Sequence, residues 1–494
     1  MIRYLPIPLG PPRYAPYSHK YAARFACSCR SVDWVAAYLQ GELLEGEVVY
    51  CHMPAGYEKE GMILMIIKPI YGIPQAGRRF QRSIYPWLRS QGFTQLDDSD
   101  SSVWVYRADG TCPAAVDARP GASVTTTLTG PPPGGGDDGG AMATALAAYH
   151  AKGKGERLVL GVYVDNLQIV HSARIDDESS KLYSFMKAIQ SDWDVEDEGE
   201  MVDLLGIEIV HHPNGSITLH QGAYIHKLIK EFLPDGKPKG VKGNLPYSGL
   251  LDKRAADASH ERAMNGGVCK HPNLVRPYQR RLGCLMYLAN STRPDIAYAV
   301  SMHCRNMSSP TPDLLTEIDW VFAYLERNAE VGLTYDATPC EAEGFNDASF
   351  EEGRSTSGYN IQWQGAAVSW ASTKQASTAL STCEAEIYAL SEGAKDLVYF
   401  RKLLTGLGET PSCPSRCATD NKAARDLAYN PEHHKRSKHI QRRHFYIRDM
   451  VEAMELVVPF VRTDDNISDM LTKQLDSCRF HLLRALMMNE PRRV

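Results

Sequence analysis

Four acidic residues toward the end of the 494-residue chain fall where they could share one site: Asp347 in FNDAS, Glu386 in STCEAEIYAL, Asp420 in ATDNKAARDLA and Asp469 in NISDMLTKQL. Clustered carboxylates repel one another, and their natural use is to hold hard divalent cations. Mg²⁺ (or Mn²⁺) prefers oxygen ligands, keeps several waters and bridges a substrate phosphate, and two such ions about 4 Å apart activate water and stabilise a leaving oxygen. That chemistry is phosphodiester hydrolysis. Taken singly, each residue has a structural alternative. Asp347 follows an Asn in a turn-forming pair, Asp420 could cap the helix after it, and Asp469 could favour a helix N-terminus electrostatically. Ser381 and Glu384 have the spacing of a capping box, which gives Glu384 a structural task and leaves Glu386 as the freer carboxylate, expected to face Asp347 and Asp420.

Between Asp420 and Asp469 lies HHKRSKHIQRRHFYIRD, where Lys435, Arg436, Lys438, Arg442, Arg443 and Arg448 stand among four histidines. Such a concentration of one sign can neutralise several phosphates and make salt-dependent contacts; a solvated helix face is the alternative. His439 is a candidate auxiliary group for product release or proton transfer.

The elements that must position these residues follow from the pattern around them. From Glu341 the order is a strand (AEGFNDASF), a hairpin pair (SGYNIQWQ and AAVSWAST), a helix from Ser381, a strand ending at Asp420, a helix, a basic helix, a strand (LVVPFVR) and a short closing helix. Three antiparallel strands followed by alternating strands and helices make a mixed sheet with helices packed on it. Upstream, residues 108–157 concentrate Gly, Pro, Ser and Thr and read as a disordered insertion between two neighbouring strands, SSVWVYRADG and LVLGVYVDNLQIV. Residues 234–275 read as a surface linker, 276–338 as helical, 341–475 as the last domain and 476–494 as a tail.

Bulk composition restricts the reading further. The length implies two or three packed units. A net charge of -5 gives no global signature of nucleic-acid binding, so any basic surface must be local. Twelve scattered cysteines read as reduced thiols, which places the chain in the cytoplasm or nucleus; Cys413 and Cys417 stand near the histidines, but their spacing fits no familiar zinc finger. No apolar run is long enough to span a membrane and the start, MIRYLPIPLGPPRY, lacks an apolar signal core, so a soluble protein without membrane partners is expected.

The words FNDAS, LSTCEAEIYAL, ATDNKAARDLA and NISDMLTKQL, with the basic string between the last two, resemble the ribonuclease H domain of copia-type (Pseudoviridae) LTR retrotransposon Pol polyproteins. That resemblance implies a two-ion site held by Asp347, Glu386, Asp420 and Asp469, acting on RNA–DNA hybrids. SVDWVAAYLQGELLEGEVVYCHMPAGY, KPIYGIPQAGRRF, GVYVDNLQIV and LLGIEI resemble the reverse transcriptase palm of the same family, over most of Val32 to Phe232. The fold so implied is a multidomain α+β and α/β chain. An antiparallel palm sheet with helices occupies 1–107 and 158–233, the latter including a thumb-like segment; a helical connection leads to a ribonuclease H-like mixed sheet. In the palm, Asp33 and Asp165 match the polymerase carboxylates, Tyr38 the aromatic gate against a ribose 2′-hydroxyl, and Gln75 a position near the incoming nucleotide on a template–primer. Residues alone would make Asp165 a hairpin-turn Asp, since Asp-Asn is a common turn pair.

Two departures from the family pattern bear on polymerisation. Asn166 stands where the family's turn has a second Asp, and about thirty residues precede Asp33, which leaves little room for fingers. The leading expectation is a metal-dependent ribonuclease H joined to an impaired palm, in a fragment that lacks the protease and integrase regions. Its rivals are a catalytically silent nucleic-acid-binding remnant and a competent reverse transcriptase completed by a partner chain.

Overall fold

The computed structural model describes residues 28–53, 62–70, 73, 75–96, 100–107, 156–163, 165–336, 340–350, 354–429 and 441–490. Residues 108–155 of the Gly/Pro-rich stretch lie outside them. The first part runs β1 (Ser28–Trp34), β2 (Val49–Cys51), β3 (Leu64–Ile66), α1 (Ala76–Ser90), β4 (Thr94–Leu96), β5 (Asp100–Arg107), β6 (Arg157–Tyr163), β7 (Asn166–His171), α2 (Lys181–Asp192) and β8 (Val195–Glu200). Its main sheet is antiparallel with the order β4-β5-β6-β7-β1-β8, while β2 and β3 form a separate pair. The strands flanking the insertion are neighbours, Val103 opposite Gly161.

Period-two alternation explains why β6 reads as a continuous apolar run. Leu158, Leu160 and Val162 face a core with Phe80, Ile84 and Leu88 of α1 and Leu182, Phe185 and Ile189 of α2. Val159 belongs to a second core that continues into the C-terminal domain. Both faces are covered, so both must be apolar.

The middle part comprises β9 (Asp203–Leu204), β10 (Ile207–His211), β11 (Ile217–His220), α3 (Gly222–Phe232), α4 (Leu251–Met264), α5 (Pro272–Ser291), α6 (Ala297–Cys304), α7 (Pro312–Arg327) and β12 (Leu333–Tyr335). Here the structure departs from the expected linker at 234–275, because α4 lies inside it. Leu251, Ala255 and Ala258 form a buried stripe, and alanines at helical spacing among charged residues are a weak apolar signal. The helical connection also returns a strand to the sheet β12-β11-β10-β9, so segments read as separate share a sheet.

The last part is β13 (Glu343–Ser349), β14 (Thr356–Trp363), β15 (Ala366–Lys374), α8 (Thr382–Gly406), β16 (Ser415–Thr419), α9 (Lys422–Tyr429), α10 (Gln441–Glu452), β17 (Leu456–Val457), a 3₁₀ turn at Ile467–Leu471 and α11 (Ser477–Met488). The sheet order is β15-β14-β13-β16-β17, antiparallel through the first three strands and parallel from β13 to β17. Gln364 and Gly365, with φ of 55° and 86°, make the two-residue turn joining β14 to β15. That geometry matches the twist of a hairpin. The expected tail is instead α11, which buries Phe480, Leu483, Met487 and Met488. Its apolar spacing is masked in sequence by the polar residues that follow. No described helix is long and apolar enough to cross a membrane.

The mixed sheet depends on one tight crossing. A Cβ on Gly393 of α8 would lie 1.9 Å from Asn346 Oδ1 on β13. Replacing Gly393 by Ala should therefore force α8 off the sheet and cost about 1–3 kcal/mol. Gly283 on α5 has open space at its Cβ position, and Gly283→Ala should stabilise by about 0.5–1 kcal/mol. Thermal unfolding of the two variants checks the pair, and equal shifts would deny the close approach its importance.

Candidate metal centre

Asp347 lies on β13, the central strand of the C-terminal sheet. The parallel register sets Asn346 beside Thr419, so the next residues, Asp347 within β13 and Asp420 just past β16, stand side by side. Adjacent strands run about 4.8 Å apart, a spacing that suits two carboxylates sharing a cation. Glu386 arrives from α8. Ser381 caps that helix by accepting the Glu384 N–H at 3.1 Å, while Glu384 turns back to accept the Leu380 N–H at 2.6 Å and the Tyr388 hydroxyl at 3.2 Å. Glu386 is left to face the sheet.

Ligand oxygens of Asp347, Glu386 and Asp420 all lie within 4.8 Å of one another. Among the described residues this is the single group of His, Cys, Asp or Glu side chains able to hold a metal ion. Glu386 is 7 % exposed, and its Oε2 is buried without a hydrogen-bond partner. Burial first, then the charges of Asp347 and Asp420, push the Glu386 carboxyl far above the ordinary range. Burial also raises Asp347, opposed by the Lys473 ammonium and reinforced by Asp469. Buried this close together, these carboxylates are costly to keep ionised, and a divalent cation would offset that cost. Hard oxygen donors only, on three separate elements, fit Mg²⁺ or Mn²⁺.

Asp469 sits beside this group and is held differently. It lies on the 3₁₀ turn with its side chain fully buried; Lys473 Nζ is 2.8 Å from one oxygen and Arg479 pairs with the other. Lys473 also reaches Asp347 at 3.7 Å, and the Thr472 hydroxyl donates to Asp347. The turn can come this close because Gly358, the cross-strand partner of Asp347, has no side chain: a Cβ there would be 2.7 Å from Thr472 and 2.8 Å from Leu471. Sequence reasoning does not single out Thr472, Lys473 or Arg479. Lys473 carries a signal, four residues after Asp469 on a helical turn, whereas Arg479 carries none.

In the N-terminal sheet, Asp33 on β1 pairs across with Asn166 on β7, and the Trp34 N–H donates to the Asp165 carbonyl at 2.8 Å. Burial, followed by the charges of Asp165, Glu198 and Glu196, raises the Asp33 carboxyl. Burial and Asp165 raise the Tyr38 hydroxyl. Asp33, Asp165 and Tyr38 are thus brought together. Gln75 is held instead by Glu47 at 3.2 Å, which also pairs with Arg79 at 2.8 Å.

Of the basic string, Lys435, Arg436, Lys438 and His439 lie outside the described residues, as does the side chain of Arg442. Arg443 is engaged with protein: its guanidinium lies 4.3 Å from the Tyr388 ring centre and 3.1 Å from Glu392, both on α8. Arg448 stacks on Phe445 at 5.2 Å and lies 3.4 Å from Glu452. Arg443 thus ties α10 to α8, whereas the partners of Arg448 lie on α10 itself. Cys417 is buried on β16 with its Sγ 3.3 Å from the Asn346 amide, and Cys413 is exposed.

Residues 141–240 match the family described as reverse transcriptase (RNA-dependent DNA polymerase). A retrovirus-related Pol polyprotein from transposon TNT 1-94 of Nicotiana tabacum is 27% identical over 478 residues, covering 94% of this chain and 31% of that polyprotein. Its counterpart from transposon RE1 of Arabidopsis thaliana is 26% identical over 459 residues, covering 91% of this chain and 27% of its own. The chain thus spans less than a third of these curated relatives. A solved foamy viral protease-reverse transcriptase in complex with RNA/DNA hybrid superposes with a TM-score of 0.43 at 9% identity, over 88% of this chain and 44% of its own. With Pol polyproteins matching nearly its whole length and the polymerase family matching its centre, the chain is similar to the Pol polyproteins of copia-type retrotransposons.

Proposed function

We propose that the C-terminal domain is a divalent-metal-dependent ribonuclease H that cuts the RNA strand of RNA–DNA hybrids, joined to a reverse transcriptase palm of impaired activity. The observation that carries this reading is the convergence of Asp347, Glu386 and Asp420 within 4.8 Å, with Glu386 buried and its Oε2 without a hydrogen-bond partner. These three residues would hold the metal, with Asp469 beside them completing the acidic set. Ions bound there would activate water and neutralise the leaving oxygen of a phosphodiester. The chain's own part is to fix the ligands on strand, helix and turn, so little reorganisation remains when substrate arrives.

Replacing Asp420 by Asn should abolish cleavage of a labelled hybrid in Mg²⁺ while leaving hybrid binding intact or slightly tighter, because a repulsive charge near phosphate is removed. Cleavage that persists undiminished, or that needs no divalent ion in the parent, would hand the reading to a silent nucleic-acid-binding remnant.

Phosphate contact is assigned to the basic string, principally Lys435, Arg436 and Lys438, with Arg442 beside them and His439 as an auxiliary group. Replacing the first three together by Ala should weaken hybrid binding and flatten its salt dependence by about 0.7–0.9 in log–log slope for each phosphate-neutralising side chain removed. The rate at saturating substrate should hardly change. An unaltered slope would remove the string from the interface.

In the palm, Asp33 and Asp165 would hold metal-bound nucleotide beside Tyr38, with Gln75 near the incoming base. Asn166 supplies an amide oxygen where a carboxylate would bind a dication more strongly. Primer extension on an RNA template should be feeble in the parent chain and rise in Asn166→Asp. Robust synthesis by the parent would show that the amide suffices.

A further inference from the structure

The four carboxylates of the C-terminal site do not stand in equivalent surroundings. Asp347, Glu386 and Asp420 face one another, whereas Asp469 is salted by two cations of the chain. Those two cations are held in different ways. Arg479 reaches across from α11 and is tied down, its guanidinium also bonding the Thr463 carbonyl at 2.6 Å and lying 3.4 Å from Asp464. Among the described residues, Lys473 has carboxylates of the site alone as ion-pair partners, Asp469 at 2.8 Å and Asp347 at 3.7 Å, and its side chain is 40 % exposed. Its backbone is fixed by Thr472, whose hydroxyl bonds Asp347, so the ammonium is delivered to one place yet has an open way to solvent.

We propose that Lys473 is a resident counter-cation that occupies the position between Asp347 and Asp469 and thereby sets how many divalent ions the cluster holds. With every carboxylate ionised, Asp347, Glu386, Asp420 and Asp469 bring four negative charges, and Lys473 and Arg479 return two positive ones. The remaining two are balanced by a single divalent ion, which Asp347, Glu386 and Asp420 would hold, Glu386 keeping one buried oxygen without a hydrogen-bond partner. A second ion between Asp347 and Asp469 has to displace an ammonium already paired with both, so it binds more weakly. The lysine is a positioning residue: it holds Asp347 and Asp469 on one shared cation, and yields when a stronger positive charge is offered.

This inference rests on the metal-site reading above, and the test separates the two. Mn²⁺ alone is the probe, counted by electron paramagnetic resonance and calorimetry on the full chain carrying Asp33→Asn and Asp165→Asn, so that palm ligands do not contribute. The expected result is one tightly bound Mn²⁺, with the second at least about tenfold weaker. Lys473→Gln should bring the second ion's affinity up tenfold or more, and Lys473→Arg should return it to the parental value. Without Mn²⁺, Lys473→Gln should melt below the parent and gain more on adding the ion. If Lys473→Gln leaves the second affinity unchanged while the first ion binds and is lost in Asp420→Asn, the lysine's role is overturned and the metal site stands. If the parent binds no Mn²⁺, the metal-site reading itself falls.

Discussion

The short stretch of β13 around Asn346 is the constraint on which the C-terminal domain depends. The Asn346 amide donates to the Ala418 carbonyl at 3.0 Å, and its own carbonyl accepts from the Asn466 side chain at 2.9 Å. The preceding carbonyl, of Phe345, accepts from Ser468 at 2.7 Å. Gly393 lets α8 settle directly against the same residue. One strand position therefore fixes β16, the turn bearing Asp469 and the helix bearing Glu386. Asp347, the next residue, is placed among its partners as a consequence. The bonds of the Asn346 amide nitrogen and backbone carbonyl go to the elements that must be aligned, while its Oδ1, facing Gly393, is buried without a hydrogen-bond partner.

A second set of buried polar groups plays the corresponding part for the helices. Arg293 and Asp295 form a fully buried ion pair, Tyr324 donates to Asp295 at 2.6 Å, and Arg484 of α11 donates to Tyr324 at 2.8 Å. Such a pair adds little net stability over apolar residues of similar volume, but any other seating of α11 would cost Arg484 its bonds to Tyr324 and Asn328. Because α11 packs Met487 and Met488 into one core and Phe480 and Leu483 into the other, its seating also sets how the two cores meet. The N-terminal sheet joins the same assembly through Leu96 against Gly406 and the 3.3 Å pair of Arg157 with Glu409.

What the sequence makes legible is local. The capping spacing of Ser381 and Glu384 separates Glu384 from Glu386, and strand order puts Asp347 next to Asp420; both are consequences of fixed periods along the chain. Pairings across elements leave no such trace. Arg443 stands in a run of basic residues that reads as a phosphate surface, yet its partners, Tyr388 and Glu392, come from another helix. Arg479 is invisible as a partner of Asp469 until α11 is seated, and α11 itself is hidden by the polar residues after it. The helix at Leu251–Met264 escapes notice for a different reason, since alanine carries too little hydrophobicity to announce a buried face.

The two acidic centres differ in how much of the cost of binding a cation the fold has already met. In the C-terminal site Asp347 and Asp469 are stripped of water, and the penalty is offset in part by Lys473, Arg479 and the Thr472 hydroxyl. A divalent ion entering there gains charge neutralisation in a poorly solvated setting, where it is strong. In the palm, Asp33 is only half-buried, and its acidic neighbours Asp165, Glu196 and Glu198 repel it. Water screens both repulsion and attraction at such a place, so affinity depends more directly on the number of formal charges. Exchanging one carboxylate for the Asn166 amide is therefore a larger fractional loss in the palm than the same exchange would be in the buried site.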